Sequence, residues 1–229
     1  MSRPGTMNPH PALVTYPAKA AFGRTLPKNK IYEHSKANTR LKDLFVKEVE
    51  QIVWQYKLAP ETINLPARPG VPEIQVFSLQ LKAPELNRDV LRAIDGAVHF
   101  PIVFELAFDG RTQVVACYKR PSEADASRWV LSDYFETGWL ATSGQRAAMP
   151  LALDLASLYE QLLHRLIPLR VRPQEPLASL VERFEQVQAR QREVARTAAR
   201  LEKEKQFKHK VEINATLRKL KTELEQLSR

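Results

Sequence analysis

The chain has 229 residues, of which 44% are hydrophobic and 8% aromatic, enough for one globular domain with an appendage. It holds no run of about 18 apolar residues, so we expect no membrane span. The first residues, "MSRPGTMNPHPALVTYP", lack the apolar core of a secretory signal. Cys117 is the single cysteine, which excludes an intrachain disulfide and predicts a reducing, cytoplasmic location.

The formal net charge of +9 is spread unevenly along the chain. Residues 1–57 carry a net charge of +6, residues 58–176 carry −2, and residues 177–229 carry +5. Basic ends indicate contact with an anionic partner, or else lysines and arginines that only keep exposed helices soluble.

Residues 1–24 are predicted to form a loose arm, because prolines recur and no hydrophobic period holds. An α+β domain is predicted to follow over residues 25–170. Asn38 or Thr39 is a candidate cap for its first helix. Apolar residues at three- and four-residue spacing predict that this helix continues to Tyr56: Leu41, Leu44, Phe45, Val49, Ile52, Val53 and Tyr56.

The middle of the chain has the signals of a sheet. The stretch "EIQVFSLQLK" predicts a strand, and a short helix follows with Asn87 as its candidate cap. Asp109-Gly110, between two β-rich apolar runs, predicts a hairpin. The stretch "RWVLSDYFETGWL" predicts a further strand, and residues 153–167 predict a helix. The order predicts an α+β fold with a mostly antiparallel sheet and packed helices.

Prolines at 168, 173 and 176 mark a boundary before a C-terminal arm, residues 175–229. The arm contains neither glycine nor proline between Leu177 and Leu227, which favours one long helix. Its apolar seam slips register between Leu201 and Ile213, so a hairpin around residues 206–210 is the alternative. The predicted interface residues of a coiled coil are Leu180, Phe184, Val187, Val194, Leu201, Leu217, Leu220 and Leu224.

A basic cluster lies where this seam is weakest. Its lysines are predicted to contact nucleic-acid phosphates, together with two lysines near the N-terminus: Lys203, Lys205, Lys208, Lys210, Lys28 and Lys30. The alternative is a solvated helix face on which Glu202, Glu204 and Glu212 pair with the lysines.

Residues that carry chemistry are few. The histidines show no metal-ligand spacing, no phosphate-binding loop is present, and Cys117 is interpreted as a small core residue. We therefore predict no metal and no cofactor, and we favour a non-enzymatic role. A metal-dependent nuclease is the one enzyme considered, because acidic and lysine side chains lie on or beside the predicted sheet: Glu73, Lys82, Glu105, Asp109 and Lys119.

The stretches "LPKNKIYEHSK", "LFVKEVEQIVWQYKLAPETINLP", "EIQVFSLQLK" and "YFETGW" occur in this order. With them the chain resembles an uncharacterised bacterial family of unknown function over most of its length, including the lysine-rich end. No catalytic residue follows from the resemblance. It implies genes encoded near helicases and DNA methyltransferases of restriction or phage-defence type, which is an association and not a physical argument.

Taken together, the sequence predicts an accessory interaction protein of a DNA-associated bacterial defence or restriction-type assembly. Its C-terminal helix would pair with itself or with a helicase or methyltransferase subunit. The alternatives are a nucleic-acid-binding module and a metal-dependent nuclease.

Overall fold

The computed structural model describes residues 10–122, 124–125 and 128–229. The chain divides into two compact units, residues 1–166 and residues 167–229. The division falls just before Pro168, in the proline-rich stretch. The helices of the described residues are α1 (Lys28–Ser35), α2 (Thr39–Glu48), α3 (Pro60–Ile63), α4 (Arg88–Ala97), α5 (Leu155–His164), α6 (Leu177–Lys203) and α7 (Phe207–Ser228).

The first unit is built on a mixed sheet. Its described strands are β1 (His10–Thr15), β2 (Ala21–Thr25), β3 (Val49–Leu58), β4 (Ile74–Leu81), β5 (Ile102–Phe108), β6 (Arg111–Pro121), β7 (Trp129–Glu136), β8 (Leu140–Ala141) and β9 (Arg146–Ala148). The main sheet runs in the order β2-β3-β4-β5-β6-β7, with β8 beside β6, while β1 and β9 form a separate parallel pair. Within this order β4 and β5 are parallel and the other described neighbours are antiparallel, which confirms the predicted α+β fold.

The main core contains residues of the sheet and of helices α1, α2 and α4. Phe77 on β4 and Phe104 on β5 are paired in register, and their rings meet edge to face with centroids 6.3 Å apart. Phe45 of α2 and Leu91 of α4 are fully buried in the same cluster. The apolar residues of β4 and β5 therefore serve as the platform on which these helices pack.

Two local predictions are confirmed where the side chains fix the backbone. Asn87 caps α4 by accepting a hydrogen bond from the Asp89 N–H at 2.9 Å. Asp109 and Gly110 both have positive φ, 45° and 68°, between β5 and β6. A two-residue hairpin turn of this type requires that conformation, which Gly adopts freely and Asp tolerates.

The predicted helix over residues 39–56 is wrong beyond Glu48. Residues 49–58 form strand β3, which is hydrogen-bonded to β2 on one side and β4 on the other. Val49, Ile52, Val53 and Trp54 are β-branched or aromatic, and such residues fit a pleated, half-buried surface better than a helix. Register shifts at two points of β3 let its apolar residues imitate helical spacing.

Part of the stretch interpreted as a loose arm is ordered, which corrects that prediction for residues 10–24. Strand β1 pairs with β9, β2 pairs with β3, and Leu13 and Val14 are buried. These segments are strands because they pair with β9 and β3, which lie farther along the chain, and a local proline pattern cannot indicate such pairing. Residues 1–9 of the predicted arm lie outside the described residues.

The second unit is a helical hairpin, so the continuous helix favoured from the sequence is wrong. Helix α6 ends at Lys203, and α7 begins at Phe207. The two run antiparallel, because Arg190 of α6 pairs with Glu223 of α7 at 3.2 Å and Arg183 donates to the Leu227 carbonyl at 3.0 Å. The helices described here include none with the length and apolar character needed to cross a membrane.

Candidate functional site

The turn between α6 and α7 is built by a glutamate. Glu204 and Gln206 have extended backbone conformations, with φ of −71° and −81°, which any residue adopts without strain. The Glu204 carboxylate accepts hydrogen bonds from the Lys205 and Gln206 N–H groups, both at 2.8 Å. It thereby satisfies free N–H groups at the start of α7, so the chain turns without glycine or proline.

The Glu204 carboxylate thus accepts hydrogen bonds from backbone N–H groups and not from lysine ammonium groups. The Gln206 N–H, followed by the Lys205 N–H and by His209, lowers the pKa of Glu204. Its second carboxylate oxygen lies 3.8 Å from Nδ1 of His209. The Glu204 carboxylate therefore lies at the N-terminus of α7, where a negative charge is favourable to the helix dipole.

The four lysines of the predicted cluster all lie at this turn. We use the name "hairpin tip" for residues 196–210, the last two turns of α6, the connection and the first turn of α7. Lys203 ends α6, Lys205 lies in the connection, and Lys208 and Lys210 lie in the first turn of α7. All four are exposed, as are Arg196 and Arg200 on α6.

The alternative pairing of these lysines with Glu202, Glu204 and Glu212 is not found in the part of the chain that the structure describes. Among the described residues, no carboxylate oxygen lies within 4.0 Å of the four lysine ammonium groups. Glu212 stands four residues after Lys208 on α7, which is the spacing of helical ion pairs, while Glu204 lies in the connection before this helix. Farther along α7 such pairs do form, as between Lys219 and Glu223 at 4.0 Å.

The hairpin tip also exposes apolar surface. Phe207 is 81% exposed and Val211 is 54% exposed. At roughly 100° per residue, they share a face that lies about 120° to 160° around the helix from Ile213, one of the buried residues of α7. Phe207 is therefore not an unfilled position of the seam, and it stands beside the lysines.

Most of the predicted interface residues are already buried in this chain. Leu180, Phe184, Val187, Leu217 and Leu220 are buried, and Val194, Leu201 and Leu224 are half-buried. Helices α6 and α7 are in contact along the hairpin. Pairing with a second chain through the Leu217 and Leu220 side chains would require the hairpin to open, although the interface itself stays a prediction.

The two N-terminal lysines of the predicted site differ in what they contact. Lys28 donates its ammonium protons to the carbonyls of Phe45 at 3.0 Å and Val49 at 2.5 Å, at the end of α2. Burial, followed by the nearby charge of Lys82, lowers the pKa of Lys28. Lys30 is exposed and pairs with Glu33 at 3.0 Å. Lys28 is thus a helix C-terminal cap, and Lys30 already has a carboxylate partner.

The residues considered for a nuclease do not converge. Glu73 and Lys82 flank opposite ends of β4, roughly 30 Å apart at strand spacing. Asp109 forms the hairpin turn, and both Glu105 oxygens accept hydrogen bonds from Arg146 at 2.8 Å. In the described parts of the chain, no group of three or more His, Cys, Asp or Glu side chains is placed to hold a metal ion.

Lys119, the fifth of these residues, belongs to a buried network. Its ammonium lies 3.7 Å from Asp95 Oδ1 and donates to the carbonyls of Asp95 and Val98 at the end of α4. Tyr134 donates its hydroxyl proton to Asp95 Oδ2 at 2.5 Å. Burial raises the pKa of Asp95, and the charge of Lys119 opposes this rise. The network holds α4 against β6, and its Lys119 and Asp95 side chains are fully buried.

Cys117 lies in the same network and is 1% exposed, which supports its interpretation as a core residue. Its Sγ lies 3.6 Å from Asp95 Oδ2. Burial, followed by the negative charge of Asp95, raises the pKa of the Cys117 thiol well above its ordinary value. A thiol in these surroundings is not a nucleophile.

Comparison with protein families gives a match over most of the chain. The family model described as "Domain of unknown function (DUF4391)" matches residues 14–224. The chain belongs to this family. Searches of curated proteins and of solved structures found no match. The DUF4391 assignment confirms the family of unknown function expected from the resemblance, while the association with helicases and methyltransferases stays a prediction.

Two features of the hairpin were missed from the sequence. Arg183 and Glu175 form a buried pair, with hydrogen bonds of 2.7 and 2.8 Å, although a charged residue in a helix is ordinarily taken as exposed. Phe207 was not recognised as exposed, because an aromatic residue in a helix normally counts as core. The step of twelve residues from Leu201 to Ile213 was the available signal, since it left Phe207 outside the seam.

Proposed function

We propose that this DUF4391 protein is an accessory nucleic-acid-binding protein that holds backbone phosphates at its hairpin tip. The observation that carries the proposal is the set of exposed lysine ammonium groups there, with no carboxylate oxygen within 4.0 Å among the described residues. Phosphate oxygens are the ligands that such groups bind without regard to base sequence.

The charge of the C-terminal residues is concentrated at this tip. Residues 196–210 contain six Lys or Arg and two Glu, a net charge of +4. The whole of residues 177–229 has a net charge of +5, so the remainder of the hairpin is almost neutral. A local field of this kind raises the concentration of polyanions at one end of an otherwise balanced element.

The turn chemistry favours this interpretation over a merely solvated face. A solvated helix face usually pairs its lysines with glutamates four residues away, as Lys219 and Glu223 do. Glu204 is instead held by the Lys205 and Gln206 N–H groups. Glu204 keeps its charge, but its carboxylate forms no direct ion pair with these lysines, so their ammonium groups stay open to other anions.

The test compares two variants of the full chain that lose the same charge from the same helix. Lys208 and Lys210, at the tip, are replaced by Gln in one variant; Lys219 and Lys221, both exposed on the distal half of α7, are replaced by Gln in the other. Fluorescence anisotropy with labelled duplex and single-stranded DNA is measured across a salt series.

We expect the tip variant to bind more weakly, with its slope of log affinity against log salt for duplex DNA reduced by roughly 2, because about 0.9 is lost per phosphate contact. The distal variant should keep the slope of the unmodified protein. Equal losses in both variants would mean that binding follows net charge alone. An absence of binding at low salt would overturn the proposal and direct the search to a protein partner.

A further inference from the structure

We propose that the hairpin tip binds nucleic acid with unpaired bases, and that Phe207 stacks on one of them. This rests on the proposed function, and it names the form of nucleic acid that the same site prefers. The juxtaposition that carries it is an aromatic ring, 81% exposed, at the first position of α7, with Lys208 next to it in sequence, Lys205 two residues before it and Lys210 three residues after it.

A large exposed aromatic side chain costs solubility and contributes nothing to the hairpin seam. Ile213, Leu217 and Leu220 bury that seam without Phe207. The described aromatic contacts of the chain include ring pairs for Phe22, Phe45 and Phe77, each in the first unit, and none for Phe207. The face of its ring is therefore open to a planar ligand.

Aromatic rings beside lysines are the elements of single-strand recognition. The lysines hold the backbone, while the ring stacks on a base, and every base offers a flat face. Bases in a duplex are already stacked on each other, so a ring at the end of a helix reaches a base only in a single strand, an end or a junction. Phosphate contacts alone would not distinguish these forms from a duplex.

An anionic membrane is the other surface that combines negative charge with apolar depth. Interfacial helices of that kind present a broad apolar face. Here the exposed apolar set at the tip is Phe207 and Val211, and the main apolar face of α7 is buried. One ring and one small side chain suit a single stacked base better than insertion among acyl chains.

In the full chain, Phe207→Leu distinguishes stacking on a base from insertion into a membrane, because it keeps apolar volume and removes the aromatic ring. Phe207→Tyr keeps the ring and is the matched control. Both variants are measured with a single-stranded DNA that carries one 2-aminopurine, with the corresponding duplex, and with phosphatidylserine/phosphatidylcholine vesicles. Circular dichroism confirms folding, which an exposed position should leave unchanged.

We expect Phe207→Leu to bind the single strand about 5- to 100-fold more weakly and to lose the quenching of 2-aminopurine that stacking causes. Its duplex affinity should stay within about twofold, and Phe207→Tyr should behave as the unmodified protein in every assay. The result that overturns the stacking alone is equal single-strand binding by Phe207→Leu while Lys208→Gln/Lys210→Gln still lowers affinity. Vesicle binding retained by Phe207→Leu, with no DNA bound by any form, overturns both proposals.

Discussion

Arg183 is a buried charged residue whose three guanidinium nitrogens each donate to an acceptor inside the hairpin unit. It forms two hydrogen bonds with the Glu175 carboxylate, at 2.7 and 2.8 Å, and donates to the carbonyls of Arg170 and Leu227. The Glu175 and Arg183 side chains are only 7% and 5% exposed. This arrangement joins the segment before α6, α6 itself and the end of α7, so the pair stabilises the closed hairpin.

The pair predicts a pH dependence of stability. Arg183 lowers the pKa of Glu175 from 4.5 to about 2. Because the folded protein binds this proton less well than the unfolded chain, the stabilisation is complete above about pH 4.5 and is lost as the pH falls toward 2. Urea unfolding of the unmodified protein and of Glu175→Gln should show a difference in the free energy of unfolding that shrinks across this range. A difference that is constant with pH would contradict the assignment.

The sequence could not predict the buried charged pairs. Lys119 and Asp95 are 24 residues apart, and their contact depends on how α4 crosses the sheet. Lysine and aspartate are almost never fully buried unless paired, so each alone is expected at the surface. By contrast, Asn87 was predictable as a cap because its partner, the Asp89 N–H, is two residues away.

At the scale of elements, we expect the apolar faces of α6 and α7 to pack against each other within one chain. Leu217 is buried on α7, while Val211 on the same helix is 54% exposed. Leu217→Ala should lower the free energy of unfolding by about 2–5 kcal/mol, the cost of removing buried apolar volume and leaving a cavity. Val211→Ala should change it by about 0.5 kcal/mol or less.

Protein concentration distinguishes this seam from one shared between chains. Thermal unfolding of Leu217→Ala and of the unmodified protein is measured over a wide concentration range. An intramolecular seam gives a midpoint that does not depend on concentration, whereas association of chains makes the midpoint rise with concentration. A rising midpoint that Leu217→Ala abolishes would restore the interface predicted from the sequence.

An element was predictable from the sequence where its own residues fix its backbone conformation, and not where contacts with distant parts of the chain fix it. Asp109-Gly110 requires a turn by its own backbone, whatever surrounds it. Val49 to Leu58 became a strand because β2 and β4 flank it, and the turn after Lys203 formed because a carboxylate replaced the usual glycine. Both departures arose from contacts that a search for periodicity and helix-breaking residues does not count.

At the scale of the whole molecule, positive charge and size are divided unequally between the two units. Residues 167–229 contain 15 Lys or Arg and nine Asp or Glu, a net charge of +6, while residues 1–166 have a net charge of +3. A chain that ends at Leu166 should therefore lose its DNA binding in the anisotropy assay and keep the circular dichroism of the sheet. Undiminished binding would place the phosphate contacts in the first unit.

The basic ends of the chain were predictable from composition, because charge can be counted without a fold. Which basic residues remain free could not be counted. Lys28 is bound by carbonyls of α2, and Lys30 has Glu33 beside it. Lys203 and Lys205 adjoin Glu204 in sequence, but its carboxylate accepts hydrogen bonds from the Lys205 and Gln206 N–H groups and forms no ion pair with either ammonium. The candidate site thus consists of lysines of the hairpin tip that have no carboxylate or carbonyl partner within the described ranges, and only the three-dimensional structure shows which lysines those are.

Cys117, the single cysteine, is buried on strand β6, and burial raises the pKa of its thiol. A cysteine introduced at Gln206, which is exposed in the connection of the hairpin, would therefore be the sole thiol that maleimide reagents reach in the folded protein. Spin labels or fluorophores can be attached at the hairpin tip without first removing the native residue. The buried position of one side chain in the first unit thus makes the second unit directly accessible to spectroscopy.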